Sequence, residues 1–299
     1  MRYLITILVG LTLHVSAGAQ GPAPAWTASL AQIRATAAAP APAAGSRPLR
    51  INVVKFAESR RTKNFSVQGA PAEPSIQART AFQVVYAGRT VMIDAGMDEQ
   101  VHRFFGRGVE EPYDAAAART VEDALGRASA ILFTHEHGDH VAGVLRSPRA
   151  AELAPKVMLT REQVAVLQTG PQMPEIGLTP EMAARYRVLD YQMYTAAAPG
   201  IVLIKAAGHT PGSQMIYVAL ESGREYLLIG DVTWHLDGVR EAKGKDAPWV
   251  TEDRAAVLAQ LAWLNGLSRT DPQLLIVASH DEEQRLDLIR GGVLGGTFE

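Results

Sequence analysis

The chain has 299 residues, 47% of them hydrophobic, and a formal net charge of −2. This length suits one large domain or two small ones with a sizeable core, and the weakly acidic charge argues against a nucleic-acid partner bound by a broad basic surface. The chain contains no cysteine, which excludes disulfide bonds and thiolate metal ligands.

Residues 1–19 are typical of a secretory signal peptide. Arg2 supplies a short positive region, residues 3–15 are mostly apolar, and Ala17-Gly18-Ala19 offers small residues before a cleavage site. The alternative is a retained transmembrane anchor, which needs about 20 apolar residues; this stretch is shorter and contains His14. We therefore predict a periplasmic or secreted protein with no stable membrane insertion after cleavage. Cleavage removes one arginine and no acidic residue, so the net charge changes from −2 to −3.

Residues 20–48 are rich in alanine and proline, and this composition predicts a linker. A short helix from about Thr27 to Ala38 is possible inside it, because that part contains good helix formers. The folded domain is expected to occupy residues 49–299. Its first strand is predicted at residues 49–54, where apolar and polar residues alternate.

A β-hairpin is predicted next, from Ala81–Tyr86 to Thr90–Asp94, because β-branched and aromatic residues flank a glycine-containing turn. Beyond the hairpin, His102 and the neighbouring phenylalanines lie on a predicted helix or lid. The favoured interpretation is that these residues pack against the face of the domain, and His102 is expected at the surface rather than as a metal ligand. A second helix is predicted at Ala115–Arg127, where strong helix formers carry an apolar face.

The most informative stretch is His135-Glu136-His137-Gly138-Asp139-His140, which directly follows a predicted buried strand at Ile131–Thr134. His135 and His137 are two residues apart, so an extended chain projects them to the same side. Asp139 then begins a turn that returns His140 toward them. One short segment can therefore supply ligands to two neighbouring metal ions.

Three further candidate ligands follow hydrophobic runs in the second half of the chain. His209 lies in Ala207–Ser213, Asp231 follows Leu228-Ile229-Gly230, and His280 follows Val277-Ala278-Ser279. Short β-like runs occur around these motifs, with helices predicted at 253–267 and 282–290. Strands and helices in both halves fit two facing β-sheets with helices outside.

As a set, these motifs resemble the metallo-β-lactamase-fold superfamily of metal-dependent hydrolases, over about residues 50–285. The resemblance implies an α+β fold, a four-layer αβ/βα sandwich with two facing mixed β-sheets and helices outside. It also implies that Asp94 lies under the metal loop and could orient it. The implied ligand pairing is one ion at His135, His137 and His209, a second ion at Asp139, His140 and His280, and Asp231 as a bridge.

Imidazole and carboxylate ligands suit zinc best, although iron, manganese or cobalt fit the same ligand types. Two such ions lower the pKa of a bridging water and hold it as a nucleophile, while the resemblance implies that Asp139 relays the proton. We therefore predict an exported dinuclear hydrolase that acts on a small ester, lactone or related carbonyl substrate.

Two alternatives stay open: a metallo-β-lactamase that cleaves β-lactam amides, and a non-catalytic metal-binding protein. All seven ligand positions are filled, which argues against the second. Related acyl-homoserine lactonases commonly carry tyrosine three residues after the bridging aspartate, where this chain has Trp234, and this departure weakens a homoserine-lactone assignment. His235, Tyr191 or Tyr194 could take over that hydrogen bond. The oligomeric state stays open.

Overall fold

The fold is described from a computed structural model, which covers residues 26–39 and 47–299. The predicted signal peptide lies outside the described residues. Among the helices described, none is both long and apolar enough to span a bilayer.

Eleven strands in the described residues form two mixed sheets, and in each sheet the strands neighbour one another in chain order. In the first sheet β1, β2 and β3 are antiparallel and β3 to β6 are parallel. In the second, β7 to β10 are antiparallel and β11 joins β10 in parallel. The strands are β1 (Arg50–Thr62), β2 (Pro74–Tyr86), β3 (Arg89–Ile93), β4 (Ala130–Leu132), β5 (Val157–Thr160), β6 (Arg187–Leu189), β7 (Tyr194–Ala198), β8 (Ile201–Lys205), β9 (Gln214–Ala219), β10 (Glu225–Leu228) and β11 (Leu274–Val277).

Helices cover the outer face of each sheet. The helices are α1 (Leu30–Ala38), α2 (Lys63–Ser66), α3 (Glu99–Gly106), α4 (Ala115–Arg127), α5 (Gly138–Leu145), α6 (Ala150–Leu153), α7 (Arg161–Thr169), α8 (Pro180–Ala183), α9 (Leu236–Glu241), α10 (Arg254–Thr270) and α11 (Glu282–Arg290).

Alternate side chains of a strand pack on opposite faces of its sheet, and this places a hydrophobic core on each face. On β8, Ile201 and Leu203 join the core between the two sheets. Their neighbours Val202 and Ile204 join a second core, under α1 and α10. A third core lies between the first sheet and α4 and α5. Because successive residues of a strand face opposite sides, both sheets are buried on both faces, and the predicted αβ/βα sandwich is confirmed.

One element agrees with the sequence-based expectation and one is longer than expected. The short helix considered possible within the alanine- and proline-rich segment is present as α1, and its Ile33 is fully buried against the second sheet. The hairpin strand expected at Ala81–Tyr86 begins at Pro74 and is 13 residues long. Its first half pairs with the second half of β1, where polar residues such as Glu58 and Arg79 obscure the hydrophobic pattern.

Candidate metal centre

The seven candidate ligands meet at one edge of the sandwich, in segments that follow strands. His135 and His137 lie in the loop after β4, and Asp139 and His140 lie in the first turn of α5. The backbone changes from extended at His137 (φ −72°, ψ 156°) to helical at Gly138, so the first two side chains come from extended chain and the next two from a helix. The other three follow β8, β10 and β11, and they are His209, Asp231 and His280.

One set of donor atoms has the dimensions of a tetrahedral metal site, and we call it cage 1. His137 Nδ1 lies 3.2 Å from His135 Nε2 and 3.1 Å from His209 Nε2. Asp231 Oδ2 lies 3.5 Å from His209 Nε2 and 3.8 Å from His135 Nε2. For metal–ligand bonds of about 2.1 Å, a tetrahedron has edges of about 3.4 Å. The four donors therefore suit an ion at their centre.

A second set, cage 2, has the same dimensions. His280 Nε2 lies 3.5 Å from Asp139 Oδ2 and 3.1 Å from Asp231 Oδ1. His140 Nε2 lies 3.5 Å from each of the same two oxygens. This nitrogen is buried and has no hydrogen-bond partner among the described residues. An orphaned buried nitrogen is costly, and a cation at the centre of cage 2 would satisfy it.

Asp231 joins the two cages, because one of its oxygens faces each of them. Trp234 Nε1 donates to Oδ2 at 2.7 Å, and Ser279 Oγ donates to Oδ1 at 2.6 Å. These two donors fix the plane of the carboxylate, so that each oxygen keeps a lone pair for its own cage. This is the geometry of a carboxylate that can bridge two ions.

The electrostatics of the cages favour neutral imidazoles in cage 1 and a cation in cage 2. Burial lowers the pKa of His137 to about 3 and lowers the pKa of His209 as well, so both keep a lone pair at neutral pH. Burial also opposes charge on His140, but Asp94, Asp139 and Asp231 outweigh it and raise the pKa of His140 to about 10. For Asp139, burial opposes ionisation, yet the charges of His140 and Arg79 lower its pKa to about 2.

Three of the histidines have their outer ring nitrogen held by an acceptor, which fixes the ring and the tautomer. His140 Nδ1 donates to Asp94 at 2.8 Å, His280 Nδ1 donates to the Ala78 carbonyl at 2.7 Å, and His209 Nδ1 donates to Glu252 at 3.0 Å. The structure therefore places Asp94 where the sequence analysis expected an orienting residue.

Sequence reasoning missed three charged residues of this site. Arg79 on β2 is buried and donates to Asp139 Oδ2, and its Nη1 also lies 3.4 Å from His280 Nε2. Glu252 is held in place by the ammonium of Lys245, 2.9 Å away, which is fully buried and also donates to the Val232 carbonyl at 3.1 Å. The contacting residues are either tens of residues apart in the chain or lie within one loop, so no local sequence motif indicates these contacts.

Other residues proposed from the sequence lie elsewhere. His102 is only 2% exposed and donates to the Glu111 carbonyl at 3.2 Å. It therefore packs against the domain, as the favoured interpretation of this segment expected, rather than lying at the surface, and it belongs to neither cage. It is buried because the inner face of α3 packs on β1. The hydroxyl of Tyr191 bonds Gln214, that of Tyr194 accepts from the Ser29 amide, and His235 caps α9. None of these three lines the cavity beside the cages.

A cavity of about 320 Å³ opens onto both cages. Its wall includes candidate ligands from each cage and Trp234, together with residues of α3 and of the segment before α10. Trp234 already donates to Asp231, so it positions the carboxylate that faces both cages. The cavity has the size of a small-molecule site.

Asp94 offers a test of the orienting contacts. We expect Asp94→Asn to weaken metal binding by about 10-fold to 100-fold, because the amide no longer supplies a charged acceptor for His140 Nδ1. Competition against a chromogenic chelator measures this affinity. Asp98→Asn is a matched control, since Asp98 caps α3 and pairs with Arg146 without touching the cages. Equal metal affinities of the two variants would show that Asp94 does not orient a metal ligand.

Comparison with known proteins agrees with this geometry. The metallo-beta-lactamase superfamily profile matches residues 78–280, and the chain belongs to that superfamily. It is thus a metal-dependent hydrolase of the metallo-β-lactamase fold. No curated protein sequence matches the chain.

Several solved structures share the fold at low identity. An N-acyl homoserine lactone hydrolase with the product N-hexanoyl-L-homoserine bound at its catalytic metal centre is 15% identical, with a TM-score of 0.64 over 81% of this chain and 96% of that one. A B. thuringiensis protein with N-decanoyl-L-homoserine bound is 17% identical, with a TM-score of 0.64 over 81% and 96%. A dizinc quorum-quenching lactonase is 12% identical, with a TM-score of 0.56 over 80% and 91%.

Proposed function

We propose that the protein is an exported hydrolase that uses two divalent metal ions, with zinc preferred, to open a small lactone or ester. The observation that carries the proposal is the pair of tetrahedral cages that share Asp231. The similar solved structures support the lactone part, since they are described as lactonases with product bound. We propose all seven residues as metal ligands: His135, His137, Asp139, His140, His209, Asp231 and His280.

The bound ions would activate a water molecule as the nucleophile and polarise the carbonyl of the substrate. The side chains of the protein orient the substrate and transfer protons. Asp139 lines the cavity and is the proposed proton relay to the leaving oxygen. Arg79 donates to it and keeps it ionised, which is the form that can bind a metal ion and that must take up the proton before passing it on. The proposed substrate is a small molecule, which matches the cavity of about 320 Å³ beside the cages.

Metal content tests the first part of the proposal. We expect the purified protein to contain close to two transition-metal ions per chain by elemental analysis, because each cage supplies a complete donor set. Zinc should restore activity best after chelation and dialysis. A content near zero after gentle purification would contradict the dinuclear site.

A substrate panel with the zinc-loaded protein tests the reaction. The panel contains a γ-lactone, an acyl-homoserine lactone, an aryl ester, a chromogenic cephalosporin and a phosphotriester. We expect turnover of the lactones or the ester. Turnover of the cephalosporin alone would assign β-lactam hydrolysis instead, and metal binding without turnover of any compound would indicate a non-catalytic role.

Export is tested separately by N-terminal sequencing of the periplasmic protein, which should begin near Gln20.

A further inference from the structure

The cavity beside the cages has more positive than negative side chains in its wall. Three arginines line it, Arg61, Arg79 and Arg107, and the carboxylates among its lining residues are Asp139 and Asp231. Both of these carboxylates are proposed ligands, so bound cations would neutralise them. The arginine charge then has no counterpart in the wall. This concentration of positive charge is local, because the whole chain is weakly acidic.

The three arginines differ in whether their guanidinium groups already form ion pairs with acidic residues. Arg61 is paired with Glu111 through both terminal nitrogens and also donates to the Phe105 carbonyl at 2.9 Å. Arg79 donates to Asp139, and its other terminal nitrogen donates to Ser59 at 3.2 Å. Arg107 makes no ion pair with any acidic residue in the described part of the chain. Its guanidinium therefore remains available to a ligand.

The position of Arg107 is set by its backbone and by one aromatic ring. It ends α3 in the left-handed region at φ 53°, which turns its side chain out of the helix. Its guanidinium lies over the ring of Trp249, 4.7 Å from the centroid. Stacking on a tryptophan face holds an arginine while leaving its N–H groups free for a planar oxyanion.

Two phenylalanines and two tryptophans also line the cavity. Phe104 and Phe105 pack edge to face with centroids 5.4 Å apart, and Phe104 is 52% exposed. Trp234 and Trp249 line the cavity as well. A cavity with exposed aromatic rings and an available guanidinium suits a molecule with an apolar part and one negative group.

We propose that the substrate is an amphipathic anion, an ester or lactone that also carries a carboxylate or a phosphate, and that Arg107 binds this oxyanion. The inference rests on the proposed function and specifies its substrate class. The scissile carbonyl lies at the cages and the apolar part lies against the phenylalanines of α3. The negative group lies at the guanidinium over Trp249.

A pair of esters that differ only in charge provides the test. The anionic probe is the mono-4-nitrophenyl ester of glutaric acid, and the neutral probe is its methyl ester. An analogue with a terminal phosphate separates a preference for carboxylate from one for phosphate. With the zinc-loaded wild-type protein, we expect kcat/KM for at least one anionic probe to exceed that of the neutral probe by about tenfold or more, the value of one charge-assisted hydrogen bond.

Arg107→Gln should raise KM for the preferred anionic probe about tenfold, with kcat changed less than twofold and the neutral ester unaffected. Arg107→Lys should recover part of the difference. Arg103→Gln is the matched control, because Arg103 lies one turn earlier on α3 and pairs with Glu99. It should behave as wild type. The preference should also shrink as salt is added.

The outcomes are distinct. Equal kcat/KM for charged and neutral esters would overturn the anion proposal while leaving the proposed hydrolase intact. A preference that survives Arg107→Gln would overturn the role of Arg107. If protein that holds two ions cleaves neither these esters nor any compound of the substrate panel, the proposed function fails, and this inference fails with it.

Discussion

Replacing Asp231 with asparagine is expected to reduce the metal content from two ions per chain to one or fewer and to lower kcat/KM by at least about 10³-fold, since a metal contributes several kcal/mol to the transition state. The reason is geometric as well as electrostatic. Each carboxylate oxygen faces one cage and accepts one hydrogen bond, from Trp234 or Ser279. An asparagine removes the negative charge, and its NH₂ group must face one of these two donors.

Elemental analysis and steady-state kinetics measure the two effects. Asp237→Asn is the matched control, because Asp237 is the next acidic residue along the chain and pairs with Lys63 and Arg240 instead of the cages. It should keep both ions and its activity. An Asp231→Asn protein with two ions bound as tightly as wild type would show that Asp231 is not a bridge.

Replacing Arg79 with methionine should destabilise the metal-free protein much more than the metal-loaded protein. Arg79 is the buried cation that pairs with Asp139, and removing one partner of a buried pair costs about 3–5 kcal/mol. For a domain of this size the expected loss of Tm is about 6–20 °C. A bound cation in cage 2 takes over the pairing with Asp139, so the loaded variant should regain most of that loss.

Thermal unfolding with and without zinc measures the difference. Arg61→Met is the matched control, since Arg61 pairs with the equally buried Glu111, which belongs to neither cage. Its destabilisation should be the same at both metal loadings. If zinc fails to restore the Arg79 variant, or restores the Arg61 variant equally, the charge of Arg79 is not coupled to cage 2.

The residues that sequence reasoning found share one property: each lies in a segment whose chemistry is visible locally. The run from His135 to His140 packs four candidate ligands into six residues after a hydrophobic strand. His209, Asp231 and His280 each follow an apolar run, and the resemblance to a known superfamily supplied their pairing. Asp94 was found in the same way, at the end of a predicted strand.

The residues that were missed or misplaced depend on packing between distant segments. Arg79 lies in the polar half of β2, where alternation is weak because both faces of the strand carry polar groups. Its partner Asp139 is 60 residues away. For His102 the sequence allowed packing against the domain or exposure at the surface, and no local pattern distinguishes the two. The structure buries it because α3 packs its inner face on β1 and leaves the Glu111 carbonyl as an acceptor.

The sequence by itself identified the seven candidate ligands, because ligand spacing is a property of short segments, and the resemblance carried by these motifs implied the superfamily and its layered architecture. The tertiary structure decided that these segments end at one edge and that Asp231 turns one oxygen to each cage. It also decided which arginines are already paired. These properties depend on distances between residues that are far apart in the chain. The order of the strands in both sheets sets these distances, and local sequence patterns do not predict them.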